Sequence, residues 1–219
     1  MVREEVKKII AGMPPGVTLV GAAKTRTPYE IMEAIDAGLT IVGENYVQEA
    51  EQAFNIIGNR VNWHMIGHLQ KNKVKKAVTI FDMIETIDSM KLCALVDRAC
   101  KEIGKIMPIL IEVNSGEEDQ KTGVMPEGAI PLIKEIATLS NIRVMGLMTM
   151  GPFTVEPELL RPCYKKTREI FEHIKNEDIK GVEMRYLSMG MSDSYKIAIE
   201  EGANLIRIGT RLFGTRDYE

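Results

Sequence analysis

The chain has 219 residues, 45% of them hydrophobic and 27% charged, with a formal net charge of −3. That is length enough to bury a sizeable core without disulfide or metal staples, in the balance of an ordinary globular protein. The missing basic excess argues against a nucleic-acid binder, and no apolar run reaches the length needed to span a bilayer.

The first sixteen residues, MVREEVKKIIAGMPPG, mix charges of both signs and carry neither an uninterrupted apolar stretch nor a cleavage site. They do not read as a signal peptide, so the cytoplasm is the expected compartment. Cys93, Cys100 and Cys163 are odd in number and show no C-x-x-C spacing. Reduced intracellular thiols are the expectation, with Cys93 and Cys100 sharing one buried helix face.

Short β-branched runs follow at 17–23, 40–44, 62–67, 83–87, 108–113, 144–149, 184–189 and 205–209. Several are nearly apolar throughout, as strands covered on both faces by helices should be. Amphipathic segments separate them. Residues 28–37 open with Pro28 and stop at Gly38, the expected helix punctuation. Residues 89–103 place Leu92, Leu95, Val96, Ala99 and Ile103 along one stripe, and 192–201 open with Ser192 as a cap and stop at Gly202. Eight strand–helix alternations with short links predict a single α/β domain over 1–219, a closed (β/α)8 barrel of parallel strands. A doubly wound open sheet would carry a glycine-rich turn after its first strand, where this chain has Ala22-Ala23-Lys24-Thr25.

Such a barrel keeps its chemistry at the C-terminal ends of its strands. The polar residues there are Lys24, Glu44 with Asn45, His68, Asn114, Ser188, and Gly209 with Thr210. Alternation along a strand puts Thr18, Val20, Ala22 and Lys24 on one face. If that face is the barrel interior, Lys24 stands at the mouth over small apolar neighbours, with an amine able to attack a carbonyl. The plain alternative is a strand-end lysine reaching solvent.

The seventh strand runs into Ser188-Met189-Gly190-Met191-Ser192 and the eighth ends at Gly209-Thr210. Loops after strands seven and eight are a common phosphate site of this architecture. Arg207 lies inside the apolar run Leu-Ile-Arg-Ile-Gly, where a guanidinium is costly unless bonded to an acceptor. It is either a buried ion pair, with Glu44 or Glu112 as partner, or a donor to a heteroaromatic ring nitrogen.

Val20-Gly-Ala-Ala-Lys24-Thr25, Gly43-Glu-Asn-Tyr-Val-Gln-Glu49, Trp63-His-Met-Ile-Gly-His-Leu-Gln70, Leu187-Ser-Met-Gly-Met-Ser-Asp193 and Arg207-Ile-Gly-Thr-Arg-Leu-Phe-Gly-Thr-Arg216 form an ordered series of motifs. The series resembles that of the pyridoxal phosphate homeostasis proteins, the YggS/PROSC group, from about residue 17 to residue 217. The resemblance implies a barrel like the N-terminal domain of alanine racemase, with pyridoxal 5′-phosphate as the cofactor. It makes Lys24 the Schiff-base lysine and Ser188, Ser192, Gly209 and Thr210 phosphate-side groups. It sets Arg207 against the pyridine nitrogen, and Asn45 and Met191 close to the ring. The implied role is binding and buffering of the cofactor, without an established reaction, the partners being the cofactor and apo-enzymes that receive it.

Other readings stay open on the residues. A racemase or decarboxylase on the same barrel, or a lysine aldolase acting on a sugar phosphate, would also use a Schiff-base lysine and an anion site. Against an enzyme stand Arg207 in place of a carboxylate at the ring nitrogen and the absence of room for the second domain that racemases carry. His64 and His68 lack a third ligand, so no metal is expected. Lys121, in the loop Asn114–Gly123, is either a mobile lysine beside the cofactor or a solvated charge, and the second reading is the plainer.

Overall fold

Inward and outward alternation along eight parallel strands divides the apolar residues of this protein between two cores. The computed structural model describes residues 2–214, so Thr215 and Arg216 of the last motif lie outside the described residues. The elements in chain order are α1 (Val2–Ala11), β1 (Thr18–Ala22), α2 (Pro28–Asp36), β2 (Ile41–Glu44), α3 (Val47–Ile57), β3 (Asn62–Met65) and α4 (Val74–Ile80). They continue with β4 (Met83–Ile87), α5 (Met90–Ile103), β5 (Met107–Glu112), α6 (Pro126–Ile136), β6 (Ile142–Met148), α7 (Pro157–Lys175), β7 (Val182–Ser188), α8 (Tyr195–Glu200), β8 (Leu205–Ile208) and α9 (Thr210–Phe213). Each strand pairs in parallel with its successor, and β8 closes on β1 with Val20 opposite Arg207. This is the (β/α)8 barrel read from the sequence.

The inner core comprises Val20, Ile66, Met83, Leu110, Met145, Met148 and Leu205, with Ala22 and Tyr186 packed against it. The outer core, between sheet and helices, takes the alternate positions such as Leu19, Val42, Trp63, Ile109 and Ile206. Val20 and Ala22 therefore face inward, which sets the parity at the end of β1. Register shifts between β5 and β6 and between β6 and β7 put Met145 and Met148, three apart, on the same inner side.

The helices follow from local chemistry. Thr27 and Glu30 form a reciprocal capping box at the start of α2, with Pro28 in its first turn. On α5 the buried stripe is Leu92, Cys93, Val96, Ala99 and Cys100, so the two cysteines do share the buried face. Ile103, expected on that stripe, is 48% exposed, because it ends the helix beside the left-handed cap Gly104. Burial pushes the Cys93 thiol up to about 12, which leaves it an unreactive core residue. Among the described residues no helix is long and apolar enough to cross a membrane.

Candidate functional site

In the closed barrel β7, β8, β1 and β2 are consecutive neighbours. Lys24, Asn45, Ser188, Met191, Ser192, Arg207, Gly209 and Thr210, scattered in sequence, therefore fall on one arc at the C-terminal ends of these four strands or just below it.

Lys24 is half-buried and follows the inward row Val20–Ala22. Ala23 still pairs with β2 through its N–H to the Gly43 carbonyl at 2.9 Å, and Arg26 N–H returns to the Ala23 carbonyl at 2.9 Å. Lys24 and Thr25 are thus the central residues of a tight turn. Gly209 stands against it from β8: a Cβ there would lie 3.1 Å from the Ala22 carbonyl oxygen, so only glycine fits without displacing the end of β1.

The loops after β7 and β8 meet. The Ser192 hydroxyl lies 3.5 Å from the Arg211 N–H, and the Arg211 guanidinium donates to the Ser192 carbonyl at 3.4 Å. Thr210 is exposed at the same rim. The helix expected to start at Ser192 begins instead at Tyr195, with Ser194 at the cap position. The chain first makes a turn at Gly190, whose φ is +89° and whose missing Cβ would lie 2.6 Å from that of Ala198. The Ser194 hydroxyl accepts from the Met191 N–H at 3.1 Å and from the Tyr164 hydroxyl at 3.0 Å. Ser192 is thereby left on the rim.

Below the rim lies a buried polar chain. Arg207, 3% exposed, donates to the Ser188 hydroxyl, and its other amino group donates to the Thr149 carbonyl at 2.8 Å. Ser188 donates to Glu85 at 2.6 Å, and the second Glu85 oxygen lies 2.7 Å from His64 Nδ1. The ion partner of Arg207 is therefore Glu85, at 4.0 Å, and neither Glu44 nor Glu112 as expected. Parity turns Glu44 outward, between inward Gly43 and Asn45, while Glu112 faces inward but accepts from the Thr122 hydroxyl at 2.7 Å. Burial favours the neutral form of Glu85, yet the His64 hydrogen bond and the charges of His64 and Arg207 together hold its carboxyl below the usual range. Burial lowers Arg207 from its ordinary value, against the pull of Glu85.

Ser188 is fully buried, with its hydroxyl held between Glu85 and Arg207, so it lies under the rim where Ser192 and Thr210 sit. Arg207 also reaches Met150 Sδ at 3.5 Å, at a cleft of about 320 Å³ lined in part by Glu112, Asn114, Thr149, Met150 and Met191. Lys121 lines this cleft and is tied to Glu118 at 2.6 Å and the Gly151 carbonyl at 2.8 Å, so it is not a solvated loop charge. Asn45 lies in a second cleft with Tyr46 and His68, both exposed.

The reading of the sequence missed Glu85 and His64 as parts of this site. A lone carboxylate within Met-Ile-Glu-Thr-Ile carries the same burial cost that drew attention to Arg207, and that was the available signal. Its pairing across the barrel depends on closure.

The fold and the rim define a barrel of the alanine racemase N-terminal-domain class, and the family model of that domain matches residues 3–217. The chain is 40% identical over 201 residues to the pyridoxal phosphate homeostasis protein of Aquifex aeolicus, covering 91% of this chain and 87% of that one. It belongs to the pyridoxal phosphate homeostasis protein family. PipY of Synechococcus elongatus, solved without pyridoxal phosphate, superposes with a TM-score of 0.92 at 30% identity, over 98% of this chain and 100% of PipY. The form of PipY with pyridoxal phosphate bound gives 0.89 at 29%, again over 98% and 100%. Alanine racemase of Clostridium difficile shares the fold alone, with a TM-score of 0.83 at 15% identity, over all of this chain and 57% of the racemase.

Proposed function

We propose that this chain binds pyridoxal 5′-phosphate, carries it covalently on Lys24, and serves to hold the cofactor within the cell, from where apo-enzymes draw it. The observation that carries this reading is the convergence of three kinds of group on, and directly beneath, one arc of the rim. These are the Lys24 turn on the inward row of β1, the buried Arg207 opposite Val20, and the hydroxyl and glycine rim of Ser192, Gly209 and Thr210. When bound, the cofactor supplies an aldehyde carbon with which the Lys24 amine condenses with loss of water, and an electron-withdrawing pyridine ring.

The residues of this chain fit that group. Ser192 and Thr210 offer hydroxyl donors to a phosphate, and Gly209 allows the backbone close approach. Arg207, its plane fixed by Ser188 and Thr149, would hold the ring nitrogen, with Asn45 and Met191 flanking the ring. Ser188 acts through Arg207.

The finer part of the proposal is that binding proceeds without sustained turnover. A guanidinium keeps its proton and leaves a ring nitrogen unprotonated, which weakens the ring as an electron acceptor. A lysine aldolase would use Lys24 and the anion rim, but nothing in its chemistry calls for the buried Arg207. The test is absorption of the purified protein mixed with pyridoxal 5′-phosphate. A yellow species bleached by borohydride, with the reduced label mapped to Lys24 and lost in a folded Lys24→Ala variant, supports the proposal. A label on another lysine overturns it.

A further inference from the structure

The turn that carries Lys24 holds a strained residue. Thr25 has a φ of +66°, and among the described residues only Glu117 shares that left-handed region without being glycine. In a turn closed by the Arg26 N–H on the Ala23 carbonyl, Lys24 and Thr25 are the two central positions. Positive φ at the second of them alone is the type II arrangement, in which the peptide between the two residues is flipped relative to the commoner type I. Glycine or asparagine is favoured there, and a β-branched residue is an outlier. The ordinary preference of this sequence is therefore against the conformation that it adopts.

Something must hold the flip, and the structure shows what. The N–H of the flipped peptide, that of Thr25, donates to the Glu49 carboxylate at 2.8 Å. Glu49 comes from the first turn of α3, and its bond reaches across from the neighbouring strand–helix unit. In the type I orientation this N–H would point the other way and the bond would be lost. The flanks are pinned independently: Arg26 donates to the Gly214 carbonyl at 2.6 Å, and Thr27 enters the α2 capping box. Buried Glu44 lies near Glu49, and burial followed by the charge of Glu49 pushes its carboxyl up to about 8. Of the two carboxyl groups it is Glu49 that accepts the Thr25 N–H.

We propose that Glu49 is the positioning residue for Lys24: its carboxylate locks the Lys24–Thr25 peptide in the flipped orientation from which the lysine stem leaves the inward row of β1. The inference rests on the assignment of Lys24 as the attachment point.

The experiment uses the full chain with pyridoxal 5′-phosphate as probe and compares wild type, Glu49→Ala, Glu49→Gln and Glu49→Ala with Thr25→Gly. Three quantities are read: the rate of borohydride-fixable attachment to Lys24, hydrogen exchange of the Thr25 amide without cofactor, and the melting temperature. Glu49→Ala is expected to lose Thr25 amide protection and to slow attachment about tenfold, the scale of one charge-assisted hydrogen bond. Glu49→Gln keeps an acceptor oxygen and should stay within about threefold of wild type. Thr25→Gly should restore most of the rate in the Glu49→Ala background, because glycine adopts positive φ without strain. Attachment at the wild-type rate in Glu49→Ala overturns the inference, as does a loss that follows the melting temperature and that Thr25→Gly leaves uncorrected. If wild type itself fixes no cofactor on Lys24, the functional assignment fails. The Thr25 amide then decides the clamp alone: unchanged protection in Glu49→Ala overturns it, and lost protection upholds it.

Discussion

The Ser188 hydroxyl donates to the Glu85 carboxylate at 2.6 Å, joining residues 103 positions apart in the interior of the barrel. Through that bond the only carboxylate of β4 reaches the guanidinium of β8. Arg207 can be buried because this chain carries its counter-charge to it, and the guanidinium is held in one plane as a result.

Glu85→Ala is expected to destabilise the protein by about 3–5 kcal/mol, the usual cost of removing one partner of a buried ion pair. Replacing both partners with apolar side chains, Glu85→Leu with Arg207→Met, should recover most of that loss. Urea unfolding of the two variants at one pH checks this. A double variant no more stable than Glu85→Ala would mean that the network is worth more than its desolvation cost.

The rim hydroxyls should report on phosphate. Ser192→Ala and Thr210→Ala are each expected to weaken pyridoxal 5′-phosphate binding by about one to two decades, the scale of a charge-assisted hydrogen bond, while leaving pyridoxal nearly unaffected. Titrations with both ligands measure the difference. Equal losses for the two ligands would put the phosphate elsewhere.

Glu44 makes stability depend on alkalinity. Its carboxyl is raised in the folded state from an ordinary 4.5 to about 8, first by burial and then by Glu49. The folded state thus binds the proton more tightly than the unfolded state. No penalty exists below the ordinary carboxylate value, and stability is lost as pH rises from there to about 8, at roughly 1.4 kcal/mol per pH unit. Its Oε2 also has no hydrogen-bond partner among the described residues. Glu44→Gln should therefore be increasingly stabilising relative to wild type between pH 5 and pH 8. Urea midpoints across that range give the answer, and a gap that does not widen with pH would remove Glu44 as the cause.

Turnover with free amino acids is expected to be negligible in the loaded protein, because on the proposed assignment Arg207, and not a carboxylate, would face the ring nitrogen. Deuterium incorporation at the α-carbon in heavy water, compared with free cofactor and with Lys24→Ala, is the measurement. Exchange of order 1 s⁻¹ or faster would instead make this chain a racemase-like enzyme.

The sequence by itself determined the barrel, because eight apolar runs alternating with capped amphipathic segments leave few other ways to bury both faces of a parallel sheet. It determined that Val20 and Ala22 share one face of β1, since a period of two needs no tertiary information, while the closed barrel made that face the inner one. It also supplied the rim candidates, each lying at or just past the C-terminal end of a strand. The tertiary structure decided which of them meet. Ser188 looked equivalent to Ser192, yet one lies under the rim and the other on it, a distinction set by how far β7 runs along β8 before the turn at Gly190. The partner of Arg207 lay in β4, and the clamp on Thr25 came from α3. Such pairings depend on strand register and barrel closure, which bring side chains far apart in sequence within hydrogen-bond reach, and no local pattern of residues encodes that distance.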